Sequence, residues 1–194
     1  MRKKIGISCV ILGVICLLTA IGFVLYNRYE EKNGETTSQE LLQNVQTTIQ
    51  EANQTEPVQT TYEILTVPVG EYESIGILSI PVLELELPVL TDWSYQKLKK
   101  APCHYYGSYY ETDFVIAAHN YNSHFGRLSQ LQAGDLVLFT DVTGHIHYYE
   151  VVLLETLIPT ATEEMITSGF DLSLYTCTPG GSNRVTVRCR RITE

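Results

Sequence analysis

Near its C-terminus the chain reads Leu174-Tyr175-Thr176-Cys177-Thr178-Pro179-Gly180-Gly181-Ser182-Asn183-Arg184. A β-rich run delivers a thiol to a Pro-Gly-Gly turn, and a guanidinium opens the run that follows. A thiol is a useful nucleophile as thiolate, which a nearby base or cation favours. The candidate bases are His104, His119, His124, His145 and His147. His119 ends an apolar run and begins a polar loop, in "VIAAHNYNSHFGRL". The end of a strand lets a rigid scaffold aim a side chain into a cleft. The other four have simpler readings. His145 and His147 alternate along one strand face, as solvated residues do. His124 fits a turn, and His104 lies in the aromatic stretch "PCHYYGSYY", where packing explains it.

In the last run, Arg184, Thr186, Arg188 and Arg190 share one face by period two, and Val185, Val187 and Cys189 share the other. The second face reads as core, which makes Cys189 a buried small hydrophobe rather than a disulfide partner. The arginine face reads as solvated charge. Arg184 differs because it is the first residue of its strand, opposite Cys177 across the turn. There it can donate hydrogen bonds to an oxyanion or a bound carbonyl. Arg188, four residues on, is displaced by roughly 13 Å at ~3.3 Å per residue and cannot do the same.

These groups need a scaffold on the correct side of a membrane. Residues 5–26, "IGISCVILGVICLLTAIGFVLY", carry no charge. As a helix at ~1.5 Å per residue they span roughly 33 Å, enough for a bilayer core. Arg2, Lys3 and Lys4 precede them, so the positive-inside rule puts the N-terminus in the cytoplasm and the rest outside. The run is long for a cleaved signal and no A-x-A site follows, so a retained anchor is expected. With the three basic residues set aside, 10 Lys and Arg face 22 Asp and Glu, a net charge of −12. That disfavours nucleic acid, whose phosphates need a basic patch. Cys9 and Cys16 fall in the apolar run. Cys103, Cys177 and Cys189 lie beyond it, and an odd count leaves a free thiol unless chains are cross-linked. The absence of C-x-x-C speaks against zinc or thioredoxin-like chemistry.

Four segments follow: a tail at 1–4, an anchor at 5–26, a polar stalk at 27–61 and a catalytic domain at 62–194. Within the stalk, Thr37-Ser38-Gln39-Glu40 fits a capping box, and Leu41, Val45 and Ile49 make one narrow stripe, giving a marginal helix at 38–52. The first 61 residues offer no apolar face broad enough to complete a core, so the domain is expected to fold and work without them. From residue 62 on, short apolar runs alternate with turns: 75–81, 85–90, 113–119, 135–141, 145–157, 171–177 and 184–192, with a short helix at 93–100, a helical turn at 125–131 and a loop or short helix at 159–168. About eight strands with few helices argue for a barrel or sandwich.

"LYTC" followed by Arg184, with "VIAAHN" and "CHYYGS" upstream, resembles the sortases, cysteine transpeptidases of Gram-positive surfaces. The likeness runs from about residue 75 to 192. Ala118 stands where the family usually has Gly before His, and Ser173 where Thr is common; the Cys-to-Arg spacing is short. The resemblance implies an eight-stranded β-barrel with short helices, Cys177 as nucleophile, His119 as general acid/base and Arg184 as the group that holds the substrate carbonyl. It implies a secreted protein with an LPxTG-like C-terminal sorting signal as substrate, a thioester intermediate, and an amine acceptor such as a peptidoglycan precursor or a pilin lysine. Family members with a C-terminal membrane helix usually build pili; this sequence ends eleven residues after Asn183, which favours cell-wall anchoring. Some members bind calcium, but Glu71, Glu73, Glu84, Glu86, Glu111, Glu163 and Glu164 show no spacing that demands it, and no cofactor is expected. The rival readings are a papain-like Cys/His cell-wall hydrolase, which usually places Cys on a helix before the His, an L,D-transpeptidase, whose Ser-x-Gly-Cys-type motif is absent, and an inactive tethered binding module.

Overall fold

The computed structural model describes residues 2–52 and 62–192, without the side chains of residues 2–6, 8, 9 and 52. The basic side chains of the expected tail, Cys9 and the 53–61 end of the stalk lie outside the described residues. The N-terminal quarter of the sequence forms one helix, α1 (Arg2–Ala52). Its residues from Val10 to Tyr26 leave large apolar side chains in the open, among them Ile15, Leu18, Phe23 and Leu25. Such a surface is unfavourable in water and suits hydrocarbon, so this segment fits a membrane anchor.

After α1 come nine strands and two short helices: β1 (Val67–Val69), β2 (Tyr72–Ile80), β3 (Leu85–Leu90), α2 (Tyr95–Leu98), β4 (Cys103–Tyr106), β5 (Phe114–Ala117), β6 (Leu136–Asp141), β7 (Ile146–Leu157), α3 (Thr162–Ile166), β8 (Leu172–Cys177) and β9 (Arg184–Arg191). The hydrogen-bonded order is β1-β2-β3-β4-β5-β8-β9-β7-β6, and β6 pairs back onto β2. Eight strands, β2 to β9, therefore close into a barrel, with β1 added beside β2. Closure removes the open edges that a sheet of this length would otherwise present. β3–β4 and β5–β8 are parallel pairs and the others are antiparallel.

Period-two alternation fills the barrel. Leu78 and Ile80 from β2, Leu85, Leu87 and Val89 from β3, Phe114 and Ile116 from β5, and Val187 and Cys189 from β9 share one interior core. A bulge between Ser74 and Gly76 shifts the parity, which returns Ile75 to that same interior. The opposite faces of β2 and β3 carry Ile77 and Leu90, which form a second core with Val69, Ala101 and Cys103.

The cover of this second core is α1. Leu41, Val45 and Ile49 are buried in it. The helix expected at 38–52 is thus the last part of a much longer one, and its narrow stripe docks on the barrel. Three side chains suffice because the barrel's outer face supplies the rest, each fully buried one contributing ~1.5–3 kcal/mol. The expectation that the first 61 residues add nothing to the packing of the domain is corrected by this contact.

Two strands were not foreseen. β1 is three residues long. β4 lies in the aromatic "CHYY", which pairs with both β3 and β5.

Candidate active site

β5 and β8 run side by side in the same direction, with Phe114 opposite Leu172 and Ala117 opposite Tyr175. The pairing goes on past the last strand residue: the Ala118 N–H donates to the Tyr175 carbonyl at 3.2 Å, and the Thr176 hydroxyl donates to the Ala118 carbonyl at 2.9 Å. In this register His119 and Cys177 leave their strands abreast, and adjacent strands are ~4.8 Å apart. On the other side of β8, antiparallel pairing sets Arg184 opposite Cys177. The short spacing between them is met by a tight turn. The Thr178 N–H donates to the Asn183 carbonyl at 2.9 Å, and Gly180 and Gly181 take φ of +82° and +76°, which glycine adopts without strain.

Cys177 and Arg184 line one groove. Trp93, Tyr95, Tyr105 and Tyr175 form an aromatic wall of it, and Ile158, Pro159, Thr162 and Met165 border it from the β7–α3 side. Along that wall Trp93 packs on Tyr105, and Tyr105 on Tyr175, at 5.4 and 5.3 Å between ring centroids. Arg184 Nη1 donates to the carbonyls of Gly181 and Asn183, both at 3.2 Å. Among the described residues, protein acceptors thus engage one nitrogen of the fork, and the donors on Nε and Nη2 remain for a ligand.

His119 stands beside the groove. The Asn120 N–H donates to its Nδ1 at 3.0 Å, which leaves the proton of the neutral ring on Nε2. Asn120 Oδ1 is also 3.0 Å from Nδ1 and can accept from it once the ring is doubly protonated. Asn120 can thus hold Nδ1 in the resting ring, and its Oδ1 keeps a proton on Nδ1 both in the charged ring and in the neutral ring left after Nε2 gives its proton up. No hydrogen bond joins His119 to Cys177.

The remaining thiols and imidazoles sort by environment. Cys103 and Cys189 are buried, and Cys177 is half-exposed. Burial pushes the Cys103 thiol up to about 12 and the Cys189 thiol still further, so both stay protonated at neutral pH. His104 spans two carbonyls, with Nε2 2.8 Å from that of Gly107 and Nδ1 3.2 Å from that of Thr91, a packing role as expected. His147 is not the solvated strand residue that alternation suggested. It is buried, with Nε2 3.2 Å from Asp141 Oδ2. His124 is not a surface turn residue either. It is fully buried, and burial, aided by the neighbouring His119 and opposed by the nearby Gly34 backbone, pushes it down to about 4.

Arg188 is the clearest departure from the reading of a solvated arginine face. It is 1% exposed. Its guanidinium donates to Glu155 Oε1 at 2.7 Å, to Ser173 Oγ at 2.8 Å and to the Glu164 and Met165 carbonyls at 2.7 and 3.3 Å. It ties α3, which borders the groove, to β7 and β8. Among the described residues no three His, Cys, Asp or Glu side chains group so as to hold a metal ion.

Residues 78–192 match the Sortase domain family. Among solved structures the chain is similar to sortase C1 from Streptococcus suis, at 29% identity over 62% of this chain and 74% of that one, with a TM-score of 0.54. It is similar in fold to the Clostridium perfringens sortase D5 transpeptidase, at 20% identity over 85% and 99% of the two chains and a TM-score of 0.58. It is likewise similar in fold to a lid mutant of sortase A from Corynebacterium diphtheriae, at 21% identity over 81% and 96% with a TM-score of 0.56. No curated protein matches the sequence. The match covers more than half of the chain, it takes in the end of β2, all of β3 to β9 and the three candidate residues, and the chain belongs to the sortase family of cysteine transpeptidases.

Proposed function

We propose that this protein is a membrane-anchored sortase that cleaves an LPxTG-like sorting signal and joins the cut protein to an amine of the cell wall. Cys177, its proton passed to His119, attacks the carbonyl carbon of the residue before the scissile bond, and the tetrahedral adduct breaks its C–N bond to leave a thioester. His119 transfers a proton to the departing amine, and later takes one from the incoming amine that resolves the thioester. Arg184 donates to the carbonyl oxygen as negative charge develops on it. The observation that carries this reading is the position of Cys177. It is the half-exposed thiol of the barrel, it lines the groove with Arg184 opposite, and His119 leaves the adjacent parallel strand beside it.

The groove accepts an extended peptide between its aromatic wall and the β7–α3 side. With the apolar part of α1 in the bilayer and the N-terminal tail in the cytoplasm, the barrel faces the outside, where both the secreted substrate and the wall acceptor are found. The chain divides functionally as tail 1–4, anchor 5–26, linking segment 27–61 and catalytic domain 62–194.

The test incubates the full chain in detergent micelles with a library of sorting peptides and amine acceptors, using Cys177→Ala as the control. The expected result is a peptide–amine product together with a thioester adduct on Cys177, both lost in Cys177→Ala. Peptide hydrolysis that no amine can divert would favour a Cys/His hydrolase. Product formation by Cys177→Ala would refute the assignment.

A further inference from the structure

His119 lies face to face with Tyr121, the ring centroids 4.2 Å apart and the planes within 7°. Tyr121 in turn rests on α1. A Cβ at Gly34 would come 3.1 Å from Tyr121 Cε2 and 2.6 Å from the Lys99 carbonyl oxygen. The Lys99 carbonyl leaves no room for a side chain at Gly34, and any side chain there would also push on the Tyr121 ring. Two polar contacts flank the meeting point. Glu31 Oε1 accepts from the Asn122 N–H at 2.7 Å, and Glu30 Oε1 pairs with Lys99 Nζ at 2.8 Å. On the inner side His124 fills the space, its ring centroid 5.5 Å from that of Tyr121.

We propose that α1 is a working part of the active site: its Gly34 face seats Tyr121, and Tyr121 sets the plane of the His119 ring. Gly34 and Tyr121 are positioning residues. The inference rests on the reading of His119 as the general acid/base. The hydrogen bond from Asn120 fixes one edge of the imidazole but leaves the ring free to swing about that edge. The stack removes this freedom. A proton-transfer group must keep its reacting nitrogen within hydrogen-bond reach of its target, and a misplacement of ~1 Å costs about 100-fold. The helix that holds the protein in the membrane therefore also tunes the reaction.

The experiment uses the full chain in micelles with ring-labelled histidine, and compares Tyr121→Leu, Tyr121→Phe, Gly34→Leu and His119→Ala. Loss of a signal in His119→Ala assigns the His119 resonance, which stacking against an aromatic face shifts upfield. Tyr121→Leu and Gly34→Leu are expected to move that resonance downfield. They should also lower kcat by about 10- to 100-fold for a sorting peptide that the wild type cleaves, with KM little changed. Tyr121→Phe keeps the ring and should keep both the resonance and the rate. If Gly34→Leu does not fold, the contrast between leucine and phenylalanine at the half-buried position 121 decides the matter. An unmoved resonance and unchanged kcat in Tyr121→Leu would overturn the proposal. So would a rise in kcat, which would mean that the stack withholds His119. Wild-type turnover in His119→Ala would instead remove the acid/base reading itself, and the resonance comparison, which needs no turnover, separates the two failures.

Discussion

Arg188→Ala removes a guanidinium that is 1% exposed and serves four acceptors. The ionic part is modest, because Glu155 keeps 31% of its side chain in solvent and the pair is worth about 1 kcal/mol or less after screening. The larger cost lies with the neutral acceptors. Ser173 is fully buried, and its hydroxyl and the Glu164 and Met165 carbonyls would each lose a charged donor, a bond worth about 1.5–3 kcal/mol before sharing among neighbours. Allowing for that sharing, a loss of about 3–5 kcal/mol is expected, in line with the removal of one partner from a buried ionic network. At ~2–4 °C per kcal/mol for a chain of this size, the melting temperature should fall by roughly 6–20 °C. Because the lost bonds hold α3 against the barrel, KM for a sorting peptide should also rise. Arg188→Lys keeps the charge without the planar fork and should recover only part of the stability. Arg184→Ala should do the reverse: its bonds reach only loop carbonyls at 3.2 Å, so the melt should hardly move while acylation of Cys177 falls about 100- to 1,000-fold. The assay is a circular-dichroism melt of each variant beside single-turnover acylation. An Arg188→Ala melt within about 2 °C of wild type would refute the reasoning, since it would mean that water replaces the guanidinium at no cost.

Cys177→Ala should lose acylation by thousands-fold or more with an unchanged melt, whereas Cys103→Ala should keep its rate and lose about 1 kcal/mol, as read by acylation and denaturant titration. His124 binds its proton in the unfolded chain near pH 6.5 but in the folded chain near 4. The unfolded state takes up more protons between these values, so stability should drop as pH falls through this window, by up to about 3 kcal/mol. His124→Leu should flatten that limb in melts taken from pH 7 to pH 4.5, and an unaltered acid limb would assign the loss to other groups. Val45→Asp places a carboxylate in the apolar contact of α1 with the barrel and should raise amide exchange across residues 38–52 by orders of magnitude; protection equal to wild type would show that the helix needs no docking.

The barrel was legible in the sequence where short-range pattern decides it. β2, β3 and β5 to β9 appear as apolar or alternating runs, and Gly180-Gly181 announced a turn tight enough to set Cys177 opposite Arg184. What escaped depends on neighbours far along the chain. The stripe Leu41, Val45, Ile49 looked too narrow to matter because its complement, Ile77, Leu90 and Cys103, faces outward from three different strands. Arg188 carries a charge on a period-two face, and nothing next to it in sequence reveals that α3 and Glu155 will cover that face. His147 alternates like a solvated residue, but Asp141, six residues earlier, waits across the hairpin to pair with it. Tyr121 drew no attention because a tyrosine two residues beyond a histidine is ordinary; the glycine of α1 that seats it lies 87 positions upstream.

The single unbroken helix from the apolar segment to the barrel leaves little room for height. Gly34 lies eight residues beyond Tyr26, about 12 Å along the helix axis at ~1.5 Å per residue. With the apolar segment in a bilayer, the loop that carries His119 is held close to the lipid headgroups, and no slack tether lets the barrel rise away from them. An extended polypeptide covers that standoff in about four residues at ~3.3 Å each. The anchor thus acts as a ruler. On the function proposed here, a substrate tethered in the same bilayer would present its scissile bond only where its spacer matches this height, so spacer length would act as a criterion of selection alongside the motif itself.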